Sequence, residues 1–145
     1  MASTADNVRA APSRQISRSI VVGRVLSGLA ILFLAMDAGG KLFAPDLMIA
    51  SSPALGLPAE AGFYRLLGAI LAGCTALYAW PRTAAIGAVL LTSYLGGAIA
   101  THLRVASPMF SHTLFGVYVG VIVWTGLWLR DPRLRRLLAS QDRET

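Results

Sequence analysis

Seven side chains in this 145-residue chain have the types and positions for chemistry: Asp37, Lys41, Glu60, Arg65, His102, Arg104 and His112. Each borders an apolar run. Asp37 and Lys41 are spaced i,i+4 with the acid first, the favourable order for pairing on one helix face. Lys41, Arg65 and Arg104 could together hold an acidic or carbonyl group. His102 or His112 could exchange a proton. The same set could equally be a salt-bridge layer, because charges at the ends of membrane helices pair with one another or reach the headgroups. The readings are compatible, since such a layer can also line a pocket. No catalytic residue is singled out.

Metal and thiol chemistry have little to build on. Cys74 is the single cysteine, so an internal disulfide, a Cys-x-x-Cys pair and a cysteine-rich zinc site are excluded. Cys74 lies among Leu71, Ala72 and Leu77 and reads as a small packing residue. Two histidines could in principle hold a haem. His102 and His112 flank a short loop instead of lying deep within apolar segments, so haem is disfavoured. A quinone is compatible with the polar set.

The elements that carry these residues follow from composition. Apolar residues make up 55% of the chain and charged ones 14%, and the mean hydropathy is +0.61. An ordinary soluble domain has about 25% charged residues. Neither a disordered chain nor a soluble domain fits, and an integral membrane protein does. The seven prolines (Pro12, Pro45, Pro53, Pro58, Pro81, Pro108, Pro132) all fall between apolar segments. Proline removes a donor and clashes with the preceding helical turn. The chain therefore divides into four spans of about the length a bilayer requires, at 19–43, 61–80, 83–103 and 111–129. The expectation is an all-α, four-transmembrane-helix bundle occupying 19–139. A disordered tail precedes it at 1–18 and a charged tail follows at 140–145. Arg14, Arg18 and Arg24 precede an apolar run without a clean Ala-x-Ala site, so the first span reads as uncleaved. Residues 44–60 should form an ordered cap or short helix over one end of the bundle. Residues 133–139 should extend the last helix. The turn Trp80-Pro81-Arg82 makes spans two and three antiparallel neighbours.

Lys and Arg counts set the orientation. Arg9, Arg14, Arg18, Arg82, Arg130, Arg133, Arg135, Arg136 and Arg143 fall on one side of a four-span bundle. Both termini are then cytoplasmic, in a multi-pass protein of the bacterial inner membrane, with Trp80, Trp124 and Trp128 near that interface. The basic residues sit in tails and tight connections, a membrane pattern that argues against nucleic-acid binding despite the net charge of +6. The seven polar residues gather at the opposite end. Ser93, Gly97, Ala100 and Arg104 form a small-residue strip that a neighbouring helix could approach. Gly116-x-x-x-Gly120 is a close-packing motif, which could serve a homo-oligomer and more often packs helices within one bundle. In the cytoplasmic half Arg24 is the one ionisable side chain inside a span, so a transport path has nothing continuous to follow.

Several segments resemble DoxX-like membrane proteins. Gly87-Ala88-Val89-Leu90-Leu91-Thr92-Ser93-Tyr94-Leu95-Gly96-Gly97-Ala98-Ile99-Ala100-Thr101-His102-Leu103-Arg104 looks like the third-span signature of that family. Gly126-Leu127-Trp128-Leu129-Arg130-Asp131-Pro132-Arg133-Leu134-Arg135 resembles the end of its fourth span. Lys41-Leu42-Phe43, Leu55-Gly56-Leu57-Pro58 and Arg65-Leu66-Leu67-Gly68 extend the likeness over most of Val25–Leu138. The resemblance implies a four-helix membrane bundle and carries over no catalytic residues. Some relatives are linked to quinone-dependent sulfur oxidation or to membrane oxidoreductase assemblies. The expected function is an accessory or structural subunit of a membrane assembly, in the lipid bilayer, with a membrane redox protein as partner. The alternatives are a quinone- or lipid-binding component of a membrane oxidoreductase and, last, a small transporter.

Overall fold

The computed structural model describes residues 18–51 and 55–141. The tails expected at 1–18 and 140–145 lie outside the described residues, apart from Arg18, Ser140 and Gln141, which are helical. All regular structure among the described residues is helical: α1 (Arg18–Phe43), α2 (Pro45–Ser51), α3 (Ala61–Ala79), α4 (Ala84–Arg104), a π-helical turn (Met109–Thr113), α5 (Phe115–Arg130) and α6 (Pro132–Gln141). Four segments are long and apolar enough to cross a membrane: Arg18–Phe43, Ala61–Ala79, Ala84–Arg104 and Met109–Arg130. The protein is thus a multi-pass membrane protein, with span limits within two residues of those expected.

Local chemistry explains the breaks. Pro45 opens α2 at the helical position that needs no N–H donor. The fourth span begins two residues early. The N–H groups of Thr113 and Leu114 reach back five residues, to Pro108 O and Met109 O, which makes the π turn. Residues 133–139 do not extend the last helix as expected. Pro132 forces the residue before it out of the helical region, and Asp131 is extended at φ −111°, ψ 100°. Its carboxylate then accepts the Arg133 N–H at 2.9 Å and caps a separate helix, α6.

The four spans run alternately up and down and pack in a ring. α1 lies against α3 and α5, and α4 lies against the same two from the other side. The core is a column of buried side chains, with Leu34, Leu71, Tyr78, Leu91, Val123 and Leu127 the largest apolar members.

Packing is tightest at the end that holds the α3–α4 turn. A Cβ at Gly87 would lie 2.2 Å from the Tyr78 backbone nitrogen, and one at Gly126 would lie 2.7 Å from Ser27 Oγ. Only glycine lets these helix backbones meet. Between them, the Tyr78 hydroxyl donates to Val123 O at 2.8 Å and lies 3.0 Å from Ser27 Oγ. A phenol has one proton to give, so Ser27 is the donor in the second bond. The small-residue strip of α4 behaves differently from expectation. Ser93, Gly97 and Ala100 are exposed, and a Cβ at Gly97 would meet nothing within 4 Å. At about 100° per residue they lie opposite the buried Ala88, Leu91 and Leu95. Gly116 packs inside the bundle, facing Leu95 and Ile99. Trp124 is exposed on the outside of the bundle and donates to Thr92 Oγ1 at 2.9 Å.

Candidate functional site

α3 and α4 diverge toward the other end. α3 and α4 touch at Tyr78 and Gly87, and their far portions form two walls of a cavity of about 560 Å³. Phe63, Tyr64 and Leu67 come from α3, and Tyr94, Ala98 and Thr101 from α4. α1 and α5 supply Phe33, Leu34, Phe115 and Val119. Met48 of α2 and the loop residues Leu55 and Leu57 also line it, so the expected cap is present and belongs to the site. Most of this wall is apolar and aromatic. Phe33 and Phe115 meet edge to face at 5.4 Å and are both exposed as well, so the cavity wall continues onto the outside of the bundle.

Four of the seven sequence-predicted residues line this cavity: Asp37, Lys41, His102 and His112. Asp37 and Lys41 form the one ion pair among the described residues, and both are partly buried. Their place on the wall depends on Gly68 of α3, where a Cβ would fall 2.9 Å from Lys41 Cβ and 3.0 Å from Ala38 O. That contact brings the last turns of α1 against α3. The two imidazole rings lie 5.9 Å apart, centre to centre. Each has its Nδ1 within reach of a serine hydroxyl: His102 with Ser107 at 3.1 Å, His112 with Ser111 at 2.7 Å. Each Nε2 remains for another partner.

The other three stand apart from the cavity lining. Arg104 is exposed and pairs with no carboxylate among the described residues; its guanidinium donates to Leu55 O at 2.8 Å. That bond ties the capping loop to the end of α4, where Gly56 makes the turn at φ +60°. Glu60 caps the start of α3 by position but not through its side chain, and is exposed. Arg65 is exposed on α3 and faces away from the cavity lining.

Two contributors were not singled out from the sequence. Tyr94 lies within an apolar run, yet shares a face with Ala98 and Thr101 at i+4 and i+7, a spacing that would have placed it beside them. Ala106 gives no signal at all. It holds φ +51°, with Ala106 N–H bonded to Leu103 O and Ser107 N–H to His102 O at 3.0 Å. This is a Schellman ending, usually made with glycine. It turns Ser107 back toward the His102 ring. Chemically, the site offers an apolar chamber with donors and acceptors at one end, in the size range of small-molecule pockets.

No curated protein and no solved structure matches the chain. The sequence profile of the DoxX-like family matches residues 25–126, most of the four-span region that builds the bundle and its cavity, and the chain belongs to that family.

Proposed function

We propose that this protein is a ligand-binding accessory subunit of a membrane assembly, and that its cavity takes the head of a membrane-soluble quinone. The observation that carries this reading is one cavity of about 560 Å³ that joins an aromatic, apolar wall to the Asp37–Lys41 pair and two imidazoles. An isoprenoid quinone has matching parts: a flat ring with carbonyls and an apolar tail. Lys41 and a histidine N–H can donate to a carbonyl, and Asp37 or an unprotonated imidazole nitrogen can accept from a hydroquinone hydroxyl. The exposed flank at Phe33 and Phe115 leaves a way for the tail toward lipid. A structural role within a larger assembly is compatible with this binding. Transport receives no support from it.

The basic residues orient the bundle in this reading. Arg18, Arg82, Arg130, Arg133, Arg135 and Arg136 put the tight end at the cytoplasmic face of a bacterial inner membrane, and the cavity opens toward the other face.

The test is to purify the protein in mild detergent from native membranes and extract its lipids. A quinone should co-purify near one per chain and should fall severalfold in Lys41→Ala and in His102→Ala. Wild type holding no more quinone than an unrelated four-span protein would sink the quinone reading and leave the accessory role alone.

A further inference from the structure

At the tight end a second cleft, of about 400 Å³, is lined by Arg24, Arg82, Arg130 and Arg133, with Pro81, Ala84 and Asp131 among its other walls. The four arginines come from α1, the α3–α4 turn, the end of α5 and the start of α6. Their convergence is a property of the fold, since the residues are up to 109 positions apart in the chain. One aspartate faces four guanidiniums, and it forms an ion pair with none of them. Its Oδ1 is already engaged as the cap of α6.

Arg130 is fixed in place. It donates to Tyr78 O at 2.7 Å and its guanidinium stacks over the Tyr78 ring at 4.6 Å. A guanidinium has five N–H donors, so most of Arg130 remains for another acceptor. Arg24 and Arg82 are exposed, and no side-chain hydrogen bond or ion pair engages Arg24, Arg82 or Arg133 among the described residues. The start of α4 adds to the positive field. Thr83 turns its hydroxyl back to Leu77 O at 2.8 Å instead of capping α4, which leaves the first N–H groups of that helix beside the cleft at Ala84.

Guanidiniums that line one cleft repel one another, and a bound anion relieves that repulsion. Forked guanidiniums suit phosphate oxygens, and basic pockets between membrane helices at their headgroup end take phospholipid heads. We infer that the Arg24–Arg82–Arg130–Arg133 cleft is a binding site for a phosphate ester, supplied either by an anionic phospholipid head or by a soluble phosphate compound.

The test uses the full chain in an uncharged detergent. Binding is measured by thermophoresis with three probes: dihexanoyl phosphatidylglycerol, dihexanoyl phosphatidylcholine and inorganic phosphate. Phosphatidylglycerol should bind well above phosphatidylcholine, and Arg24→Gln and Arg82→Gln should each weaken it about fivefold. Arg18→Gln, at the same end but outside the cleft lining, should leave binding unchanged. Inorganic phosphate binding with the same arginine dependence, without a preference for phosphatidylglycerol, would assign the site to a soluble phosphate compound. Binding of neither anion overturns the proposal. So does binding that survives both cleft substitutions, or that falls as far in Arg18→Gln. Both cleft variants keep Arg130 and its contact with Tyr78, and unchanged thermal unfolding confirms that they fold.

Discussion

Gly87→Ala should open the seam from which α3 and α4 diverge. A methyl at Gly87 would fall 2.2 Å from Tyr78 N, 2.5 Å from Tyr78 Cα and 2.7 Å from Leu77 C. All three are backbone atoms, so no side-chain rotation relieves the overlap. Restoring ordinary contact at about 3.5 Å requires the two helices to part by roughly 1 Å. Tyr78, Ala88 and Leu91 flank the seam and are fully buried. A gap of that size forfeits about a quarter to a half of the dispersion energy of each atom pair across it. Overpacking of this kind costs about 3 kcal/mol, of which alanine's better helix propensity returns about 1 kcal/mol. The expected net loss is about 2 kcal/mol. Gly97→Ala is the control. It has nothing within 4 Å, so it should be neutral or stabilise by up to about 1 kcal/mol. Unfolding of both variants with sodium dodecyl sulfate in mixed micelles, followed by far-ultraviolet circular dichroism, gives the comparison. A Gly87→Ala midpoint equal to wild type, or equal shifts in the two variants, would refute the assignment of a closed and an open end.

Tyr78→Phe removes two buried hydrogen bonds, to Val123 O and from Ser27. At about 0.6 kcal/mol each for membrane-buried bonds, the same unfolding assay should register a loss of about 1 kcal/mol. Ala106→Gly relieves a left-handed alanine and should stabilise by about 1 kcal/mol; destabilisation would mean that the turn does not hold this conformation in the protein. For topology, single cysteines at positions 52 and 140 in a Cys74→Ala background should label from opposite sides of the membrane, and labelling from the same side would rule out four spans.

The spans were legible because their signal is local: uninterrupted apolar runs closed by proline and charge. The polar end was legible for the same reason, since alternating span directions put Asp37, His102 and His112 at one end once four spans are counted. Which of the seven polar residues share a cavity was not legible. That depends on how each helix is rotated, and all-round apolar membrane helices carry little amphipathic pattern to reveal it. Hence Arg65 and Arg104 looked equivalent to Lys41 in the sequence, yet Arg65 lies away from the cavity lining and Arg104 holds the loop. The glycines misled similarly. Gly97 looked like a contact and is open, while Gly87, in the same helix, makes the close approach. Ten residues on an ideal helix is 1000°, so the two glycines point in directions about 80° apart.

The two glycines are also about 15 Å apart along the axis of α4, toward opposite ends of the bundle. Near the α3–α4 turn, Gly87 and Gly126 let backbones meet, Tyr78 bridges α3 to α1 and α5, and Arg130 closes over it. Four arginines of that end line the surface cleft. At the other end the same α3 and α4 leave a chamber that α2 and the 55–57 loop cover, with Arg104 as the tie. A ligand in the chamber would therefore meet a cap that Arg104 ties to the end of α4 through Leu55 O. For a quinone bound as proposed, movement of the cap away from α4 would break the Arg104–Leu55 contact, whereas entry past Phe33 and Phe115 would leave it intact. The second route fits a bilayer-borne molecule better, because it needs no opening to water and disturbs none of the buried hydrogen bonds that hold the bundle together.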